Sequence, residues 1–352
     1  MEGYPELKLD HLRRMTDCTG IIQHSIYSLP DRETGYTTDD NARALVVALR
    51  LLEMGFETDV VLPLAEIYLG FLRHAQKQRG TFHNYMSYNR SFADDEGSED
   101  CFGRAVWACG CAARRRAGDG LGPTARLMLE RAIPRLDELQ AVRARAYAIL
   151  GLSAYLQSYP NEGVVRSRIE ALSAGLVKAL ERASRGRWQW FEDRLTYSNA
   201  ILPGALFRAY AATQRGLWLE AAETSLGFLS RVLWRKDFVK LVGNQGWYLK
   251  GKTPAEYDEQ PVDAGYLVQA YAWAYLATRK DEYLERARRA YEWFHGRNIN
   301  RVPVYDELTG GCYDGLTPDG VNLNQGAESL LAFLLARLAL QECQMAREGV
   351  AA

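Results

Sequence analysis

Gly35-Tyr-Thr-Thr-Asp-Asp-Asn-Ala-Arg-Ala-Leu45 sets two adjacent acids, Asp39 and Asp40, and an amide, Asn41, directly ahead of an apolar run from Ala42 to Glu53. Side chains of this kind accept hydrogen bonds from the free N–H groups of a first helical turn and lie well against the positive end of the helix dipole. A helix N-cap is the plain reading. The same grammar, a polar and aromatic loop followed by an apolar helix of small residues, returns along the chain, and that recurrence decides the fold.

Six stretches are apolar nearly all round and rich in Ala, Gly and Leu: 41–52, 102–113, 143–156, 199–213, 263–278 and 326–340. A helix apolar on every face is buried on every face. Five amphipathic stretches, 59–78, 123–139, 164–183, 218–233 and 281–298, alternate with them. A sixth, 5–15, carries Leu7, Leu9, Leu12 and Met15 on one side and supplies the missing outer helix from the N-terminus. Successive buried helices start roughly 40 to 65 residues apart, in the range of structural repeats. Six inner and six outer helices close a ring, an all-α (α/α)6 toroid, and the pattern resembles the six-hairpin glycosidase superfamily. An open α-solenoid would not need helices buried on all sides and would use shorter connections. One barrel domain over 1–345 is expected, with the N-terminal helix closing the outer ring and 346–352 a flexible tail.

Composition narrows the partners. A net charge of −1 over 352 residues, with no basic block, argues against nucleic acid or an anionic membrane and for a neutral ligand. No stretch of ~18 uncharged apolar residues exists to span a bilayer, and no basic region followed by an apolar run marks a secretion signal. The six cysteines have neither a paired framework nor metal-ligand spacing. Reduced thiols and a cytoplasmic location are expected. Cys109 and Cys111 point from one helix to different sides and make a poor chelate, so neither metal nor cofactor is expected.

The loops that lead into the buried helices are long, 20–40, 79–100, 185–198, 234–260 and 298–325, and those that leave are short. Loops beyond ~12 to 15 residues without structure of their own are usually functional. Parallel inner helices put all of them on one face of the ring, where their ends converge on one pocket. The first delivers Tyr36, Asp39, Asp40, Asn41 and Arg43; the second, Glu99, Asp100, Arg104 and Trp107. The third is short and carries no acid. The fourth brings Trp188, Trp190, Glu192, Asp193, Tyr197 and Asn199; the fifth, Trp247, Asp258, Gln260 and Asp263. The sixth, after Asp306 and Asp314, brings Asn324, Gln325 and Glu328.

Carboxylates, amides and aromatic rings together suit a sugar, whose hydroxyls need donors and acceptors and whose C–H face packs on a ring. Trp188, Trp190 and Trp247 are the stacking candidates. Taken singly, each feature has a plainer use: an acid before a helix is usually a cap, a Trp is usually core, and Arg43 and Arg104 can pair with acids one turn back. Recurrence of the acids is what independent capping does not explain, since Ser or Thr would serve as well. Paired carboxylates point to cleavage of a glycosidic bond by an acid and a base or nucleophile. Asp40 and Asp100 are the first candidates and Asp258 and Asp263 the next, with the roles of acid and base open.

Four motifs carry a closer likeness: Thr-Thr-Asp-Asp-Asn-Ala-Arg-Ala-Leu (37–45), Glu-Asp-Cys-Phe-Gly-Arg-Ala-Val-Trp (99–107), Asp-Glu-Gln-Pro-Val-Asp-Ala (258–264) and Asn-Gln-Gly-Ala-Glu-Ser (324–329). Together they resemble a bacterial family of proteins or domains that accompany family-4 glycosyltransferases and sit near enzymes of mannoside metabolism. The resemblance implies a carbohydrate-active role and a glycosyltransferase as a partner. Sugar epimerases of this fold resemble the pattern too, but they place histidines in the pocket. Of the histidines here only His24 and His83 fall in long loops, where hydrogen bonding within the loop is the plainer role. Three readings stay open: a glycosidase acting on a short oligosaccharide, a glycan-binding accessory subunit, and a sugar epimerase or isomerase.

Overall fold

The computed structural model describes residues 5–115 and 118–349. Its twelve α-helices alternate as the hydrophobic pattern predicts. The inner set is α2 (Thr38–Glu53), α4 (Glu99–Ala113), α6 (Val142–Ser158), α8 (Ile201–Thr213), α10 (Pro261–Thr278) and α12 (Ala327–Glu348). The outer set is α3 (Thr58–Ala75), α5 (Leu121–Ala132), α7 (Gly163–Ala183), α9 (Gly216–Leu233), α11 (Asp281–Tyr291) and α1 (Asp10–Met15). Each inner helix packs on the next, and α12 returns to α2, so the ring closes as an (α/α)6 toroid in a single domain. Every residue of α10 from Pro261 to Tyr275 is buried, which is why that stretch lacks a polar face.

Close approach of the inner helices needs glycine. A Cβ on Gly110 of α4 would lie 2.1 Å from the Gly151 carbonyl oxygen of α6, inside any real contact distance. Gly110→Ala is therefore expected to cost about 1–3 kcal/mol or more by forcing the two helices apart. Gly70→Ala, on the exposed side of α3 with open space around it, is expected to add up to about 1 kcal/mol through helix propensity. Urea denaturation of both variants checks the opposite signs.

Three expectations about element ends are corrected. The cap of α2 is Thr37, whose Oγ1 accepts from the Asp40 N–H at 3.0 Å, so Asp39, Asp40 and Asn41 fall inside the first turn. A hydroxyl on an extended residue reaches that N–H, and the acids are released for other work. The N-terminal outer helix is only Asp10–Met15; residues 5–9 run along α12 without helical structure, with Arg337 donating to the Pro5 carbonyl at 3.0 Å. The last helix continues to Glu348, while 350–352 lie outside the described residues.

The long loops form a continuous rim. Tyr36–Thr37 pairs with Tyr85–Met86, and Arg194–Leu195 with Tyr248–Leu249. Glu259 bridges to Leu316, and the Gln325 N–H donates to the Tyr27 carbonyl. The two remaining gaps are closed by side chains: Glu99 accepts from the N–H groups of Gln140 and Ala141, and Arg143 donates to the Tyr197 carbonyl and Thr196. All six loops leading into inner helices are thus tied to their neighbours on one face.

Candidate active site

Beneath the rim, the first turns of the inner helices aim charged side chains at the axis. Arg43 of α2, 3% exposed, donates to Asp40 and Glu328, both at 2.7 Å. Asp40 also accepts from the Thr37 hydroxyl at 2.6 Å, so both its oxygens are occupied. Burial raises the Asp40 pKa, with Arg43 opposing. Arg104 of α4 donates to Asp39 at 2.8 Å, lies 3.7 Å from Asp100 and rests 4.4 Å over the Tyr147 ring. Asp100 accepts from the Tyr197 hydroxyl at 2.8 Å. Asp39 keeps one buried oxygen without a protein partner.

Across the ring, Asp263 of α10 accepts from the Asn199 N–H at 3.2 Å through Oδ1, and its buried Oδ2 has no protein partner. Burial pushes its pKa up to about 7; Asn199 and Arg143 oppose, and the negative charge of Glu328 adds to the rise. Glu328 goes the other way. Its depth under the rim disfavours its charge although about half of the side chain faces the cavity, but Arg43, Arg104 and His24 outweigh this and hold the carboxyl below its ordinary value. Two carboxyls within reach of each other's field are thus pushed apart, one toward the acid form and one toward the base.

Glu328 opens into a cavity of about 270 Å³ under the rim, where His24, Asn244, Asp258, Gln260, Asp314 and Asn322 also line the wall. Burial raises the Asp314 pKa, and its Oδ1 accepts from the Gly326 N–H at the head of α12. Asp258 keeps one buried oxygen unpartnered. Deeper along the axis the ring of Trp107 stacks on Tyr147, and Tyr147 lies 5.8 Å from Tyr266, an aromatic floor below the charged layer.

Of the candidates read from the sequence, Asp258, Gln260 and Glu328 line the cavity, and Asp39, Asp40, Arg43, Asp100, Arg104, Tyr197 and Asp263 form the charged layer beneath. Others hold the scaffold instead. Asn41 is fully buried between the Ile21 N–H and the Thr37 carbonyl, Tyr36 is buried with its hydroxyl on Asp17, and Glu99 ties two rim loops. Trp188 and Trp190 are corrected as sugar platforms: both are buried, packed edge-on or tilted against Phe228, because the fourth loop folds back over α9. Asp193 is turned outward to Lys250. Asn324 and Gln325 fasten the rim, through the Tyr27 N–H and through Asp306 and Thr309. Trp247 alone of the three stacking candidates remains half-buried in a rim loop.

Of the other residues in the cavity wall, His24, Asp314 and Asn322 are loop residues that the sequence offers without a site role, and Asn244 carries no signal at all, since no local pattern reports how deep each rim loop dips. For Asp314 a signal exists: an Asp-Gly turn spaced to meet the head of the next helix. His83 keeps the plainer role, donating to the Asp94 carbonyl and stacking on Phe92. Among the described residues no cluster of three or more His, Cys, Asp or Glu is placed to hold a metal, all six cysteines are free thiols, and no helix is long and apolar enough to cross a membrane.

Glu259, wholly buried, accepts from the Trp293 indole at 2.8 Å, and burial pushes its pKa up to about 8. An unfolded Glu ionises near 4.3. The unfolded chain therefore sheds this proton first, and stability falls as pH rises between the two values. Glu259→Gln is expected to remove that slope, on the order of several kcal/mol, and urea denaturation at pH 5 and pH 8 checks it.

No family model and no curated protein matches this chain. Solved structures do. A sugar epimerase from a ruminal bacterium superimposes with a TM-score of 0.75 at 13% identity, covering 98% of this chain and 96% of its own. Cellobiose 2-epimerase from Bacillus thermoamylovorans gives 0.74 at 11%, covering 96% and 95%. The α-1,6-mannanase from Salegentibacter sp. gives 0.63 at 13%, covering 95% and 96%. A variant of that mannanase with two successive aspartates changed to asparagine is described as inactive and was solved with α-1,6-mannotriose. At these identities the likeness establishes the shared toroid over nearly the whole chain.

Proposed function

We propose that this protein is a glycoside hydrolase acting on a short, mannose-containing oligosaccharide, with Asp263 as general acid and Glu328 as the ionised carboxylate. The observation that carries the reading is the opposite shift of two neighbouring carboxyls in one polar axial site. Asp263 near neutral pH can give a proton to the leaving oxygen, and Glu328 can activate water or attack the sugar directly. The unpartnered Asp39 oxygen, Asp258, Gln260 and the Asn322 amide offer hydroxyl partners. The mannanase inactivated at successive aspartates lends weight to Asp39-Asp40 as well; of that pair only Asp39 has an oxygen free for substrate. A neighbouring glycosyltransferase, implied by the sequence resemblance, would supply such an oligosaccharide.

A second reading is a sugar epimerase or isomerase. His24, beside Glu328 and Asp314 in the cavity, is the observation that favours it, since an imidazole there can move a proton at carbon. The epimerases also superimpose more closely than the mannanase.

One experiment separates the two. The protein is incubated with α- and β-linked manno- and gluco-oligosaccharides in deuterated water, and the products are resolved by mass and NMR. Release of monosaccharide without deuterium on carbon supports the hydrolase. Deuterium at carbon 2 with the chain length unchanged would replace it with the epimerase, and no turnover of any substrate would leave sugar binding alone.

A further inference from the structure

The toroid has a second axial cavity, at the end opposite the rim, where the inner helices terminate. It encloses about 430 Å³ on the far side of the aromatic floor, against Trp107 and Trp273. Three guanidinium groups reach it, Arg50 of α2, Arg114 just past α4 and Arg208 of α8, with two carboxylates, Glu53 and Glu342. Arg114 is committed: it donates to Glu53 and to Gln157. Arg50 and Arg208 donate no side-chain hydrogen bond and form no ion pair among the described residues, and one terminal nitrogen of Arg50 is buried without a partner.

Arginines at helix C-termini ordinarily donate to the last carbonyls. Arg50, in the last turn of α2, does not, and Arg208, which stands short of the last turn of α8, has no carbonyl partner either among the described residues. Burial, together with the like charges of Arg114 and Arg50, outweighs Glu342 and lowers the Arg208 pKa. Glu53 is taken by Arg114, so Glu342 alone faces the two uncommitted, half-buried guanidiniums, and the cavity keeps a net positive charge.

We propose that this lower cavity is a binding site for a phosphoryl group, held between Arg50 and Arg208 with Trp107 and Trp273 beside it. The two arginines stand on the first and fourth of six inner helices and so approach from opposite sides of the ring. A planar carboxylate is used up by one bidentate guanidinium, whereas tetrahedral phosphate can meet two separate forks at once. The cavity lies within the size range of small-molecule sites, so the group can be free phosphate or the phosphate of a small sugar ester.

Thermal shift and titration calorimetry of the full chain test the site, with inorganic phosphate, glucose 6-phosphate and chloride at matched ionic strength. Phosphate is expected to raise the melting temperature by several degrees and chloride to leave it unchanged. Arg208→Gln and Arg50→Gln are each expected to weaken phosphate binding about tenfold or more. Without ligand, both variants should melt at or above the wild-type temperature, because a like charge has been removed. Arg50→Lys, which keeps the charge and loses the fork, should weaken binding as well. Tighter binding of glucose 6-phosphate than of phosphate assigns the group to a sugar ester, and the reverse order to the free ion. Equal shifts with phosphate and chloride, or phosphate binding that survives both glutamine substitutions, would overturn the proposal.

Discussion

Asp263→Asn is expected to lower the rate of oligosaccharide hydrolysis by about a thousandfold while leaving binding within a few-fold of wild type. Asparagine has the size of the acid and can still accept from the Asn199 N–H, but it has no proton to give. The loss should shrink sharply on aryl glycosides whose leaving groups need little protonation, which separates a general acid from a residue that only shapes the site. Glu328→Gln should be equally slow on both substrate types. If Asp263→Asn stays active on oligosaccharides while Asp39→Asn does not, the acid is Asp39.

The same pair fixes the pH profile. In the proposed hydrolase, activity needs Glu328 ionised and Asp263 protonated. Arg43 keeps Glu328 charged to below its ordinary range, so the acid limb lies low; Asp263 gives up its proton near 7, so activity falls as pH rises through that value. A bell with its top on the acid side of neutrality is expected, and Asp263→Asn should abolish the basic limb.

Much of the toroid was legible because burial writes itself into composition. A helix such as α10, surrounded by other helices, cannot afford a polar stripe, and alternation with the amphipathic helices then gives the ring order. The short α1 was less legible, since Leu7 and Leu9 pack on the core without being helical, and apolar spacing alone does not separate those two ways of covering a surface. In the site, the acids that begin inner helices were legible from recurrence, and Asp263 and Glu328 are among them. What each does was not. Asp40 and Glu328 share one arginine, yet only Asp40 has both oxygens occupied, and that difference rests on a Thr37 hydroxyl and on a cavity built from distant loops. The tryptophans failed for a related reason: a Trp in a loop reads alike whether the loop lies open or folds back over α9, as it does at Trp190.

Arg43→Met should show how strongly that charged layer depends on one cation. Asp40 and Arg43 are both nearly sealed from solvent, and removing one member of a buried pair leaves the other charge uncompensated, a loss of about 3–5 kcal/mol at neutral pH. Glu328, about half exposed on the cavity side at 47%, is still reached by water and adds little to that figure. Without the arginine, only the Thr37 hydroxyl still opposes burial at Asp40, and its folded pKa climbs further above that of the unfolded chain, near 3.9. A carboxyl raised in this way costs stability as pH rises, because the unfolded chain ionises first. The variant should therefore be least stable near pH 7.5 and recover much of the deficit near pH 4.5, and adding Asp40→Asn should recover most of it at both. Urea denaturation at the two pH values measures this. An equal loss at both, not relieved by Asp40→Asn, would mean that the arginine acts through the bulk of its stem, and the electrostatic account of how Glu328 is held ionised would fall with it.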